Sequence, residues 1–166
     1  MRYRTLVLFG TSFAVIVAAA GWLNAQSKPS PLEGAWSVQS ISFAKPPAEA
    51  PNKPTGLFLF VGNHYSGQIL NNSTRPDFGQ GGGDKATADQ FRAVWGPFAS
   101  NGGTFTISGS TIRFVRTIAK NPGVMAAGNW AENTFTLNGD TLVLTTTRNN
   151  TGPVANPQTL RLTRAK

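Results

Sequence analysis

Residues 103–147 consist almost entirely of alternating segments interrupted by glycine turns, and this pattern restricts the chain more than any other. Segments 103–108 (GTFTIS) and 111–119 (TIRFVRTIA) flank Gly109-Ser110. Segments 128–137 (GNWAENTFTL) and 141–147 (TLVLTTT) flank Asn138-Gly139-Asp140. Successive side chains of a strand point to opposite faces, so a period of two means one face buried and one wetter. A short glycine turn between two such segments makes them antiparallel neighbours. The pattern extends upstream. Residues 34–43 alternate, with Trp36 and Val38 on one side and Ile41 and Phe43 on the other. Residues 56–61 (GLFLFV) are continuously apolar, Gly62-Asn63 turns them into 64–70 (HYSGQIL), and 158–164 (QTLRLTR) ends the series. This predicts eight strands.

Only residues 86–95 read as a helix. Phe91, Val94 and Trp95 fall on one stripe, Thr87 is placed to cap the start, and Gly96-Pro97 ends it. Residues 44–55 hold four prolines and form a loop. Residues 71–85, rich in glycine and asparagine, form a long loop of the kind that tends to be either functional or disordered. Even hairpin spacing with so little helix indicates an antiparallel sandwich or a closed barrel.

The N-terminus differs in kind. Arg2 and Arg4 precede an almost wholly apolar or small stretch over 6–23, and Leu23-Asn24-Ala25 offers a small residue before Gln26. That is the order of a secretory signal peptide. A retained membrane anchor is the rival reading, and Ala18-Ala19-Ala20-Gly21 favours cleavage by lowering the hydrophobicity. The plan is therefore a signal peptide over 1–25, a polar lead-in over 26–33 and a folded domain over 34–166, placed in the periplasm or secreted. With no cysteine, an exported chain holds together by packing alone. It has 15 Lys and Arg against 7 Asp and Glu, a net charge of +8, but the cations are dispersed without a run of four. Nucleic-acid binders cluster their positive charge, so nucleic acid is not an expected partner. Peripheral contact with an anionic envelope surface suits such a balance.

Leu32-x-Gly34-x-Trp36 at the head of the first strand resembles the Gly-x-Trp signature of lipocalins. Further segments are similar, in order, to the compact bacterial lipocalin-like domains. These are Pro54-x-Gly56, Gly62-x-x-Tyr65-Ser66, Gly103-x-Phe105-x-Ile107-x-Gly109, Asn121-Pro122, Phe135-x-Leu137-x-Gly139-Asp140-x-Leu142-x-Leu144 and Leu162-Thr163-Arg164. The resemblance implies an all-β fold: an eight-stranded antiparallel up-and-down β-barrel, lipocalin/calycin-like, with one short helix. It implies that Trp36 closes one end with Arg164 packed across it. It departs at Leu162, where relatives often carry an aromatic. It also implies a small, mostly hydrophobic ligand and no cofactor.

For such a ligand, the candidate binding residues are Phe58, Phe60, Tyr65, Phe105, Phe114, Arg116, Trp130 and Glu132; core packing alone also explains the aromatics. If Arg116 shares the inward face with Ile112 and Phe114, it needs a partner. Glu132 or a ligand carboxylate would serve; an arginine on the outer wall is the plain alternative. A single histidine, His64, and no cysteine provide no metal set, and His64 reads as an exposed turn residue. No Gly-x-Ser-x-Gly is present and Gly81-Gly82-Gly83 lacks a phosphate-loop ending, so no catalytic residues are assigned. Two other classes compete with the binding module. One is a filled barrel acting as an adaptor through its surface. The other is a cofactor-free cyclase or isomerase using Tyr65, Glu132 and Arg116.

Overall fold

A computed structural model describes residues 29–47, 51–72, 75–79 and 82–166. The signal-peptide assignment over 1–25 lies outside them. The strands are β1 (Gly34–Phe43), β2 (Thr55–Val61), β3 (His64–Leu70), β4 (Phe98–Ser108), β5 (Thr111–Ala119), β6 (Ala131–Asn138), β7 (Thr141–Asn149), β8 (Gly152–Pro153) and β9 (Gln158–Arg164). From β1 to β7 each strand pairs antiparallel with the next. Strand β9 then pairs with both β7 and β1. Eight strands thus close a ring in chain order, with the two-residue β8 attached to β7 alone. Closing the ring in this way leaves no long open sheet edge. Among the described residues, one α-helix, α1 (Ala88–Trp95), and two 3-10 turns, Gly82–Lys85 and Pro122–Met125, lie in the connections.

Strand β4 starts at Phe98, earlier than the glycines of Asn101-Gly102-Gly103 suggest. These glycines make no turn. They sit at a register shift between β4 and β5, where Gly103 lies so close to the Val115 carbonyl that a Cβ would not fit. Strand β6 starts at Ala131 instead of 128, because Gly128 takes a left-handed conformation (φ 80°) that ends the preceding loop. The apolar stripe of α1 is not core: Phe91 is 46% and Trp95 53% exposed, and no helix residue is buried.

One end of the barrel is sealed. Trp36 and Arg164 are register partners on β1 and β9. The Arg164 guanidinium lies 4.2 Å from the Trp36 ring centroid, a contact worth roughly 0.5–2 kcal/mol depending on desolvation. Arg164 also donates to the Glu33 carbonyl at 2.7 Å and lies 3.4 Å from the Asp140 carboxylate. The buried Trp36 indole donates to the Leu32 carbonyl at 2.7 Å, so its polar atom is satisfied. Gly34 makes the arrangement possible. Its φ of 114° disfavours any side chain, and a Cβ there would lie 3.1 Å from Arg164 Nη1. Leu32, Trp36, Phe60, Ile112, Leu142 and Leu162 are all fully buried at this end, so Leu162 closes it without an aromatic ring.

Trp36→Ala should lower stability by about 3–5 kcal/mol in chemical denaturation, the usual cost of deleting a large buried aromatic. A loss below about 1 kcal/mol would show that the seal does not depend on it.

Candidate functional site

The opposite end is built differently. Above the seal, five inward aromatics pack as one cluster: Phe58 and Phe60 from β2, Tyr65 from β3, Phe105 from β4 and Phe114 from β5. Phe60 meets Phe105 edge-on at 5.3 Å, and Tyr65 meets Phe114 at 4.5 Å. The Phe58 ring covers Gly67 so closely that a Cβ there would meet it at 2.5 Å. These side chains fill the middle of the barrel against one another, and the open space lies beyond them, at the mouth.

A polar layer tops the cluster. The Tyr65 hydroxyl donates to Asn101 Oδ1 at 2.7 Å. Burial pushes the Tyr65 phenol up to about 12, against a smaller downward pull from the positive charge of Arg116. Arg116 continues the inward parity of Ile112 and Phe114 and is half-buried. A cleft of about 490 Å³ opens above it, lined by Phe98, Ala99, Asn101, Arg116, Lys120 and Val124, among others. Across the barrel, buried Asn133 accepts from the Thr146 hydroxyl at 2.7 Å.

Lys120, in the lining of this cleft, anchors the end of α1. Its ammonium donates to the carbonyls of Trp95, Gly96 (3.3 Å) and Phe98 (2.7 Å). It thereby satisfies the C-terminal carbonyls of α1 and ties the helix to the end of β5. At the other end of α1, Thr87 and Gln90 form a reciprocal capping box.

Two expected site residues lie elsewhere. Glu132 and Trp130 are on the outer wall. Inward positions of β6 are taken by Ala131 and Asn133, so Glu132 points out, opposite its register partner Arg113. Arg113 donates to Glu132 Oε1 at 3.0 and 2.6 Å and lies 4.3 Å from the Trp130 ring centroid. Glu132 is therefore no partner for Arg116, and Tyr65, Glu132 and Arg116 do not converge. Tyr65 and Arg116 do come together. Phe60 and Phe105 sit deep, near the seal, and His64 is exposed at the start of β3. Asn101 and Lys120 were not singled out by the sequence reading. The period-two series 99, 101, 103, 105, 107 carried the signal for Asn101, hidden by the adjacent glycines.

Two further recesses flank the barrel. One of about 730 Å³ lies between α1 and the proline loop, bounded by Phe43, Pro47, Pro51 and Arg92 among others. The other, about 750 Å³, lies at the sealed end over Phe105 and Ile107, with no ionisable side chain in its lining.

No family model matches the chain, and no curated protein matches it. Among solved structures, it is similar to a crystal structure of a mutant of the fluorescent protein UnaG. The identity is 11%, the match covers 81% of this chain and 96% of that one, and the TM-score is 0.37.

The folded protein holds the Tyr65 proton to about pH 12, whereas an unfolded tyrosine releases it near the ordinary value of 10.0. The native state thus binds more protons across that interval, so stability should fall as pH rises through it. In a Tyr3→Phe chain, where Tyr65 is the sole phenol, ultraviolet titration should place the phenolate midpoint near 12. A midpoint near 10 would contradict the burial of the hydroxyl.

Proposed function

We propose that this chain is an exported small-molecule-binding barrel of the bacterial lipocalin-like kind, holding one mostly apolar molecule at its mouth. The observation that carries this reading is the asymmetry of the two ends. Trp36 and Arg164 shut one. The other opens into a cleft of about 490 Å³ whose apolar walls, Phe98, Ala99 and Val124, surround a few polar groups. Small-molecule sites are concave, mostly apolar and oriented by a small number of convergent polar groups, within about 300–1,000 Å³. The series of motifs over residues 32–164 supports the kinship, and the pattern of residues 1–25 supports export.

One observation favours a second reading. The aromatic cluster leaves the barrel's middle packed, and the exposed Phe91 and Trp95 of α1 offer a surface for contact. A filled barrel working as an adaptor would look like this.

Native mass spectrometry of the protein purified from its own host separates the two. The binding reading predicts a reproducible added mass in the range of a small lipid or pigment, and uptake of a hydrophobic fluorescent probe by the stripped protein. Bare protein without probe uptake would overturn it in favour of the adaptor.

A further inference from the structure

We propose that the molecule held at the mouth is an amphiphilic monocarboxylate whose head group pairs with Arg116 while its apolar tail lies along the cleft walls. This rests on the reading above that the mouth binds a ligand, and it names the ligand's chemical class.

Arg116 sits on the inner face of β5, half-buried beside the Tyr65–Phe114 ring pair. An inward cation that gives up water needs a counter-charge. The described residues do not supply one. Among the described residues the ion pairs are Arg92–Asp89, Arg113–Glu132 and Arg164–Asp140, and Arg116 belongs to none. Glu132, the acid nearest in register, is turned outward and held by Arg113 through two hydrogen bonds.

Arg116 carries the free cationic donors of the site. The other cation in the cleft lining is Lys120, and its ammonium N–H groups are committed to the backbone carbonyls of Trp95, Gly96 and Phe98. One guanidinium fork engages one carboxylate, so a monocarboxylate fits best. The guanidinium is a planar fork that matches a carboxylate through two parallel hydrogen bonds. Asn101 lines the same cleft; its Oδ1 accepts from Tyr65, and its amide group adds a neutral donor beside the head group. Phe98, Ala99 and Val124 provide the apolar wall for the tail.

Isothermal titration of the full chain with decanoate and with decanol, both below their aggregation concentrations at neutral pH, tests this. Losing a hydrogen bond to a charged group costs about a factor of ten or more in affinity. Decanoate should therefore bind at least about tenfold tighter than decanol. Arg116→Met should remove most of that difference, and Arg116→Lys should restore part of it. Equal affinity of the unmutated protein for acid and alcohol would overturn the proposal while leaving the binding reading standing, and needs no variant to fold. Binding of neither would sink the binding reading itself.

Discussion

The contact between Trp36 and Arg164 is where the chain's two ends become one structure. These residues are register partners on the first and last strands of the ring. A guanidinium stacked on an indole therefore seals one end of the barrel and joins β1 to β9 at the same point. Without that join, both strands would present unpaired backbone edges. The supporting parts are small and specific. Gly34 leaves room for the guanidinium. The Leu32 and Glu33 carbonyls accept from the indole and the guanidinium. Asp140 brings in the β6–β7 turn: its carboxylate faces the Arg164 guanidinium at 3.4 Å, and its backbone carbonyl accepts from the Arg164 N–H.

A sealed end fixes where chemistry can occur. From the seal upward the interior passes from fully buried aliphatics, through a packed aromatic cluster, to the polar groups of Tyr65, Asn101 and Arg116. The barrel thus carries a gradient of polarity along its axis. Charges on the outer wall follow a different rule: Arg113 is matched by Glu132 and Trp130, in contact with solvent. Lys120, at the rim, serves the C-terminal end of α1. Arg116 is left as the inward charge whose partner the described residues do not provide.

The hairpins were legible because their turns are short and their alternation is clean, and the seal was legible because Leu160, Leu162 and Arg164 share one face of the last strand. The candidate site was read less completely, for two physical reasons. Asn101-Gly102-Gly103 carries turn-forming residues, yet the glycines serve close strand approach at a register shift. The start of β4, with Asn101, was consequently missed. On β6 the inward face follows Phe135 and Leu137, which share parity with Asn133 and Ala131. A polar asparagine at a core position masked that series and left Trp130 and Glu132 on the wrong side. In a strand, a one-residue error of parity moves every side chain to the other face.

Amide chemical-shift mapping of the protein on addition of decanoate tests most directly the claim that one end is closed and the other is the site. The account predicts that perturbations concentrate at the mouth, at Ala99, Asn101, Arg116 and Lys120, while the Trp36 indole proton stays unmoved. Perturbations centred on Trp36, Leu162 and Arg164 at the sealed end would contradict it.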